Sequence, residues 1–193
     1  MGKIFYLMGK SASGKDSIYN SLINDKSLEL NGIVMYSTRP MREGEVDGQD
    51  YYFVSEEKID EFRKQGKVIE SRTYDTVYGP WTYATIDDGQ IDLEKGNYLM
   101  VGVLSAFVGM KEFFQDAVVP FYVEVEDGER LIRAINRERI GEPKYEEMCR
   151  RFLADAKDFS DEKLKAAGVT KKYSNEDFDK CINEIKEIIL REG

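Results

Sequence analysis

The 193-residue sequence contains no histidine and only two cysteines, and it has no long apolar run. The absence of histidine excludes catalytic triads with an imidazole base and metal sites built from imidazole ligands. Catalysis by this chain would therefore depend on positioning and on electrostatic stabilisation. Cys149 and Cys181 lack the spacing of a metal site, and we expect both to be reduced thiols in the cytoplasm.

Positive charge is outnumbered by negative charge: 28 lysine and arginine residues against 37 aspartate and glutamate residues give a net charge of −9. A nucleic-acid-binding surface needs clustered positive charge, so we expect no nucleic-acid partner. No apolar segment approaches the length that spans a bilayer, and the chain begins with a core strand pattern rather than a cleavable signal. We therefore expect no membrane partner and a cytoplasmic location. Nothing in the sequence marks an oligomer interface.

Short apolar runs alternate with helical patterns, without internal repeats or low-complexity linkers, and the length suits one domain. This alternation predicts an α/β fold with a parallel sheet flanked by helices. The predicted strands cover residues 4–8, 32–36, 99–104 and 118–125. The predicted helices cover residues 17–23, 55–65, 105–114, 129–139 and 145–157. A last amphipathic helix is predicted from core positions at helical spacing, namely Phe178, Cys181, Ile182, Ile185, Ile188 and Ile189.

Residues 9–16 read G-K-S-A-S-G-K-D and lie between the first predicted strand and the first predicted helix. This is the G-x-x-x-x-G-K pattern of a phosphate loop in the context that the pattern requires, so the core is expected to be of the P-loop NTPase type. Backbone amides of such a loop and the helix N-terminus together bind an anion, and Lys15 is expected to reach the outer phosphates. The candidate nucleoside triphosphate ligands are Gly9, Ser11, Ala12, Ser13, Gly14, Lys15, Asp16 and Ser17.

Asp16 stands where this pattern normally has a serine or threonine hydroxyl that ligates Mg²⁺. A carboxylate suits this hard ion, so Asp16 is the candidate metal ligand, either directly or through water. The hydroxyl of Ser17, one position later, is the alternative.

Residues 37–96 carry most of the tyrosines and several turn signals, and they interrupt the alternating pattern as an inserted lobe would. Within this stretch, Arg39 and Arg42 are followed by a glycine turn and Tyr51, which suits a dianionic phosphate. An arginine-rich stretch, the predicted lid at about residues 133–157, contains Gly141 and Pro143, which are expected to break it into a mobile segment between two helices. A phosphate loop, an inserted lobe and an arginine-rich lid together predict a kinase that closes over two nucleotides.

Residues 37–54, which read S-T-R-P-M-R-E-G-E-V-D-G-Q-D-Y-Y-F-V, resemble the signature T-T-R-x-x-R-x-G-E-x-[DN]-G-x-x-Y-x-F-V of the guanylate kinases. The resemblance extends from the phosphate loop to the C-terminus. It implies a core (residues 1–36, 97–132 and 158–193), a nucleoside-monophosphate lobe (37–96) and a lid. It also implies the reaction of ATP with GMP to give ADP and GDP, with Mg²⁺ as cofactor.

The same resemblance implies roles for individual side chains. The implied ligands of the GMP phosphate are Arg39, Arg42, Tyr51 and Tyr78. Glu70 is the implied acceptor for guanine N1 and N2, Thr82 substitutes for a hydroxyl expected at Pro80, and Asn175 lies near the adenine of ATP. The lid arginines near the positions that bridge the phosphates are Arg137, Arg139, Arg150 and Arg151, and the candidate catalytic residues are Lys15, Arg137, Arg139 and Arg151.

Several family polar positions are apolar here: Met35 replaces a serine that touches guanine, and Val101 and Val103 replace two aspartates. Each lost buried partner of a base costs about 1–3 kcal/mol, which leaves the acceptor open between GMP and another nucleotide. The G-K-D-S form of the loop also resembles ribose 1,5-bisphosphate kinases over residues 2–22, so that sugar phosphate is a further alternative. A non-catalytic binding module is the third interpretation, and the intact phosphate loop disfavours it.

Overall fold

The structure is a computed structural model that describes residues 1–76, 78–140 and 143–193. The strands are β1 (Ile4–Gly9), β2 (Leu30–Gly32), β3 (Tyr36–Ser37), β4 (Tyr52–Phe53), β5 (Val68–Thr76), β6 (Gly79–Ile86), β7 (Asn97–Gly102), β8 (Val118–Glu124) and β9 (Lys172–Ser174). The α-helices are α1 (Lys15–Ile23), α2 (Glu56–Lys64), α3 (Leu104–Phe114), α4 (Asp127–Glu138), α5 (Tyr145–Asp158), α6 (Asp161–Ala166) and α7 (Phe178–Glu192).

Within the described residues, the core sheet has five parallel strands in the order β2-β7-β1-β8-β9. The central strand β1 is buried along its whole length, because helices cover both faces of the sheet. Alternate residues of β1 face opposite sides: Tyr6 packs in the cluster of Phe107 on α3, and Leu7 packs in the cluster of Ile18 on α1 and Ile185 on α7. This parallel sheet between helices is the predicted α/β architecture.

A second sheet, in the order β4-β3-β6-β5, lies in the chain between β2 and β7. Its longest pairing is the antiparallel hairpin of β5 and β6, and α2 covers a small core of Tyr36, Ile59, Ala84 and Ile86. The segment predicted as an inserted lobe thus has its own sheet and its own apolar cluster. The exact division into core, lobe and lid stays a prediction.

The single strand predicted at residues 32–36 is wrong. The chain forms β2 in the core sheet and then β3 in the second sheet, and the residues between them cross from one sheet to the other. Val34 N donates to Gln90 Oε1 instead of to a ladder partner. The other strands and helices with predicted bounds begin and end within two residues of the observed ones. The break predicted at Gly141 falls on residues 141–142, outside the described residues.

The amphipathic pattern of α7 is confirmed at Cys181, Ile182 and Ile185, which are buried together with Ile188 and Ile189. Phe178 is a correction, because it is 40% exposed rather than part of the core. It is the first residue of α7, directly after the cap Asp177, and therefore precedes the turn that packs on the sheet. In the parts of the chain that the structure describes, no helix has both the length and the apolar character needed to cross a bilayer.

The second sheet is joined to the core where β5 lies against α3. Gly109 of α3 faces Glu70 of β5, and a Cβ at position 109 would lie 2.6 Å from Glu70 Cβ. Real Cβ atoms do not approach so closely, and the obstacle is the stem of a side chain that cannot swing away. The absence of a side chain at Gly109 therefore sets the distance between the two sheets.

We expect Gly109→Ala to lower the thermal unfolding midpoint. Alanine improves helix propensity by about 1 kcal/mol, but the clash with Glu70 must push β5 from α3, and overpacking typically costs about 1–3 kcal/mol. Gly128→Ala is the matched control in α4, since its new Cβ would meet the end of a side chain, the Glu126 carboxylate at 2.8 Å, which can shift at the cost of its capping bond from Glu129 N. Thermal denaturation checks both variants, and a Gly109→Ala protein more stable than wild type would contradict the close approach.

Candidate active site

The phosphate loop (residues 9–16) leaves the carboxyl end of β1 and turns sharply into α1. Gly9 is required by a close approach, because a Cβ there would lie 2.6 Å from the Val123 carbonyl oxygen. Gly14 has φ +84°, the left-handed conformation that favours glycine. Among the residues that the structure describes, none caps α1 with its side chain. The helix N-terminus is thus left for an anionic ligand.

Lys15 and Asp16 begin α1, with Lys15 Nζ 3.3 Å from Asp16 Oδ2. The Asp16 side chain is 75% exposed, and Ser17 is exposed as well. Ser13 differs from both: its Oγ is buried and has no hydrogen-bond partner within the described part of the chain. A buried hydroxyl without a partner costs about 1–3 kcal/mol, so this loop contains a polar group that a ligand would satisfy.

Asn175 supports the loop from behind. Its Nδ2 donates to the Ser13 carbonyl at 2.8 Å, and its own carbonyl accepts from Arg133 Nη2 at 3.2 Å. The side chain is almost fully buried, and it fits because Gly14 has no Cβ, which would lie 2.4 Å from Asn175 Nδ2. The side chain of Asn175 therefore contacts the backbone of the predicted nucleotide-binding loop.

Arg130 and Asp155 were not predicted from the sequence, yet they hold the other side of the loop. Arg130 is 1% exposed; its Nε donates to the Ser11 carbonyl at 3.0 Å, and its Nη2 donates to Asp155 Oδ2 at 3.2 Å. The same Asp155 oxygen accepts from Ser11 N at 2.6 Å. Arg130 also pairs with Asp127, and its guanidinium lies 4.8 Å from the centre of the Phe152 ring. This cluster joins α4 and α5 to the loop.

Arg39 is the centre of a second cluster, next to β3. It is 4% exposed, and its two terminal nitrogens donate to Glu45 at 2.7 and 2.5 Å. Its guanidinium lies 5.0 and 5.2 Å from the ring centres of Tyr51 and Phe53. Glu45 also accepts from Arg42 N at 2.8 Å, while the Arg42 side chain is exposed. Hydrogen bonds from Arg39 lower the pKa of Glu45 to about 2.

Glu70 lies on β5, 8% exposed, and is already hydrogen-bonded on both oxygens. Arg72 Nη1 donates to them at 3.1 and 3.0 Å, and Thr85 Oγ1 donates to Oε1 at 2.8 Å. Arg72 Nη2 lies 3.7 Å from Met35 Sδ. Arg72 and Thr85 were missed by the sequence analysis, although strand alternation from Glu70 would have placed Arg72 on the same face.

Two further residues predicted for the acceptor site, Thr82 and Tyr78, lie on β6 and just before it. Thr82 is fully buried, and its hydroxyl pairs with Thr73 Oγ1 at 2.9 Å across the hairpin. It therefore does not offer its hydroxyl to open space, which corrects the expectation that it substitutes at Pro80. Tyr78 is 82% exposed and stacks on Trp81 at 6.1 Å between ring centres.

The positions without the family aspartates lie at the end of β7 and just after it. Val101 packs in the cluster beneath α1 and α7, and Val103 packs in the cluster beneath α3. The Val103 carbonyl accepts from Tyr6 OH at 3.1 Å. Burial raises the pKa of Tyr6 above its ordinary value, so this hydroxyl stays protonated and acts as a donor.

The predicted lid arginines are exposed; Arg137 lies on α4, Arg139 is the C-cap of α4, and Arg150 and Arg151 lie on α5. Arg137 Nε is 3.8 Å from Glu138 Oε1, and Arg139 Nη1 donates to Asn136 Oδ1 at 3.3 Å. Arg150 and Arg151 share one partner, Glu147, at 2.6 and 2.8 Å. Hydrogen bonds from Arg150 are the main reason that the pKa of Glu147 falls to about 2.

Comparisons with known proteins agree over the whole chain. Residues 1–192 match the family model described as guanylate kinase. The guanylate kinase of Mycoplasma mobile is 30% identical over 99% of this chain and 94% of its own length. That of Caldanaerobacter subterraneus subsp. tengcongensis is 27% identical over 99% of this chain and 88% of its own. The crystal structure of guanylate kinase from Anaplasma phagocytophilum has a TM-score of 0.70 at 22% identity, covering 99% of this chain and 86% of that one, which shows a common fold.

The Arg39–Glu45 pair predicts a pH-dependent contribution to stability. Because the folded-state pKa of Glu45 is about 2, below its ordinary value, the pair stabilises the fold fully above about pH 5 and loses this effect as the pH falls towards 2. We expect Glu45→Gln to lower the unfolding midpoint at pH 7, with a difference from wild type that shrinks between pH 5 and pH 2.

Thermal unfolding across this pH range measures the difference directly. Glu43→Gln, which removes the same charge from an exposed position in the same turn, is the control and should not show this convergence. A Glu45→Gln difference that is constant between pH 7 and pH 2 would contradict the assignment.

Proposed function

This chain belongs to the guanylate kinase family, and on that premise we propose that it transfers the γ-phosphoryl group of ATP to GMP, giving ADP and GDP. The observation that carries the proposal is the pairing of two features. One is a phosphate loop between β1 and α1; the other is a second sheet that holds a buried arginine, Arg39, and a buried carboxylate, Glu70.

The phosphate loop is the proposed ATP site. Backbone amides of the loop and of the first turn of α1 would bind the β- and γ-phosphates, and Lys15 would neutralise them as a mobile point charge. The unpaired Ser13 hydroxyl would gain a phosphate oxygen as its partner. Asn175 would support the ATP site by holding the Ser13 carbonyl from behind the loop.

The start of α1 fits Mg²⁺ held mainly by nucleotide phosphates and water. Across residues 1–76, 78–140 and 143–193, no group of three or more acidic, cysteine or histidine side chains is placed to hold a metal by itself. Mg²⁺ typically binds through one or two carboxylates together with substrate phosphates. We assign Asp16 as the protein ligand, with Ser17 as the alternative. Mg²⁺ held there would supply charge neutralisation on the phosphates during transfer.

The Arg39 cluster is the proposed site of the acceptor phosphate. A guanidinium has five N–H donors, and Arg39 uses three of them in its bonds to Glu45 and Pro40. Glu45 thus orients the fork while leaving donors for a phosphate oxygen. Arg42, Tyr51 and Tyr78 would supply the remaining contacts, and Glu70 would accept from guanine N1 and N2.

Transfer needs little covalent chemistry from the protein. The acceptor phosphate oxygen is itself the nucleophile, so alignment and charge neutralisation carry the reaction, in agreement with a chain that has no histidine. Arg137, Arg139 and Arg151 would neutralise the transferring group when the lid closes and excludes water. We propose the cytoplasm as the location, where the free thiols Cys149 and Cys181 would stay reduced.

A kinase of the same fold with another acceptor is the second candidate. It is favoured by Met35, Val101 and Val103, which are partly buried hydrophobic residues where the family has polar groups that touch the base or the metal. Ribose 1,5-bisphosphate and other nucleoside monophosphates are the acceptors to compare with GMP.

ADP formation from ATP and Mg²⁺ with a panel of acceptors tests the proposal. We expect turnover with GMP and dGMP to exceed turnover with AMP, CMP, UMP and ribose 1,5-bisphosphate. Preferred turnover of another acceptor would replace GMP with that compound. ATP binding without turnover of any acceptor would support the non-catalytic module instead.

Lys15→Ala is expected to reduce phosphoryl transfer by about a hundredfold or more, the usual cost of removing a charge-stabilising donor, while GMP affinity stays near that of wild type. Calorimetric titration with GMP and steady-state kinetics separate the two effects. Lys26→Ala, at a lysine beyond the end of α1, is the control. Equal loss of GMP binding and turnover would contradict the assigned role of Lys15.

A further inference from the structure

A buried guanidinium lies directly beside the carboxylate that is proposed to bind the acceptor base. Glu70 and Arg72 are two residues apart on β5 and therefore project from the same face of the sheet. Their side chains are 6% and 15% exposed, and Arg72 Nη1 is 3.1 and 3.0 Å from the two carboxylate oxygens. Both charges are thus removed from water and fixed relative to each other.

One end of this guanidinium has no strong acceptor within the described residues. Nη1 is used on Glu70, whereas the neighbour recorded for Nη2 is Met35 Sδ at 3.7 Å, and a thioether is a weak acceptor. On the other side of the pair, Thr85 holds Glu70 Oε1 at 2.8 Å from a fully buried position. The pair is therefore anchored at its carboxylate end and keeps donor capacity at its Nη2 end.

This arrangement presents one donor next to two acceptors. A 6-oxopurine with a 2-amino group presents the complementary series of an acceptor at O6 followed by donors at N1 and N2. Adenine presents the opposite series, because its N6 amine donates and its N1 accepts. Adenine would place its amine against the guanidinium and its N1 lone pair against the carboxylate, and such unfavourable contacts discriminate as strongly as favourable ones.

We propose that Arg72 is a specificity-determining residue, whose Nη2 donates to O6 of the acceptor base while Glu70 accepts from N1 and N2. This inference rests on the proposed function. The contact of Nη2 with Met35 shows that Arg72 reaches the residue where the family's serine touches guanine. Arg72 thus supplies from β5 a donor that Met35 cannot supply.

Base binding also requires a rearrangement within the pair. A carboxylate has about four acceptor positions, and Arg72 and Thr85 occupy three of them in this structure. Two base N–H groups therefore need Arg72 Nη1 to release one oxygen as Nη2 moves towards O6. Before the base binds, Nη1 of Arg72 contacts both oxygens of Glu70. After it binds, Nη1 keeps one oxygen and the base N–H groups share the carboxylate.

The test compares acceptors that differ at O6. GMP and IMP carry O6, whereas 6-thioguanosine monophosphate keeps the N1 and N2 donors and carries sulfur, a weak acceptor, in place of O6. We expect Arg72→Met to lower kcat/KM for GMP and IMP by about 10- to 100-fold, as for loss of a hydrogen bond to a charged group. The 6-thioguanosine nucleotide should lose much less, so the preference for O6 collapses. Arg72→Lys keeps the charge beside Glu70 and should retain part of the preference.

Equal losses for all three acceptors, or no loss for GMP, would overturn the role of Arg72. A merely structural role predicts the equal losses, because an unpaired Glu70 would weaken every acceptor alike. Thermal unfolding and ATP binding, measured on both variants, separate such a role from loss of the fold.

Calorimetric binding of GMP and AMP separates this inference from the proposed function. If GMP binds in a way that depends on Arg72 but is not turned over, the kinase assignment is removed and the specificity role of Arg72 stands. Turnover of GMP that is indifferent to Arg72 would do the reverse. Absence of GMP binding to the wild-type protein would remove both.

Discussion

The phosphate loop keeps its shape because one buried guanidinium bonds its backbone and two helices at the same time. Arg130 donates to the Ser11 carbonyl, and Asp155 accepts from both Arg130 and Ser11 N. Removing Asp155 would leave Arg130 paired with Asp127 alone, and removing Arg130 would leave Asp155 with the Ser11 amide, so either change weakens the attachment of a helix to the loop. The conformation of the loop therefore depends on the placement of α4 and α5, the helices next to the predicted lid. A shift of either helix would change the hydrogen bonds of the Ser11 backbone.

Other buried or half-buried arginines follow the same rule in a chain with an excess of acidic residues. Arg39 is forked onto Glu45 through two nitrogens, and Arg72 bonds both oxygens of Glu70 through Nη1 alone. Buried pairs of this kind contribute little net stability, since desolvation offsets most of the attraction. What they provide is orientation, because a guanidinium with a carboxylate on one side can present its remaining donors in only one direction. For Arg39, whose two terminal nitrogens are held by Glu45, ligand binding then costs less conformational entropy.

The sequence predicts what depends on local pattern and misses what depends on distant contacts. The phosphate loop and the strands β1, β7 and β8 follow from glycine spacing and apolar runs, so their predicted bounds lie within two residues of the observed ones. Arg130 and Asp155 belong to no motif and lie 25 residues apart, and only the packing of α4 against α5 brings them to Ser11. The strand predicted at residues 32–36 failed because an apolar run cannot say that the chain changes sheets. The role predicted for Thr82 was wrong because its hydroxyl is hydrogen-bonded to Thr73 across the hairpin, a contact that the motif does not reveal.

The polar residues of β5 explain how apolar residues can stand at the end of β7. Val101 and Val103 follow the core sheet, whereas Glu70, Arg72 and Thr85 all belong to the second sheet, as does the segment that carries Arg39. In the proposed function, polar recognition of the acceptor base and phosphate is then concentrated on one sheet, and ATP is bound at the carboxyl edge of the other. The two substrates are aligned by the contact of β5 with α3, where Gly109 allows Glu70 to approach the core helix.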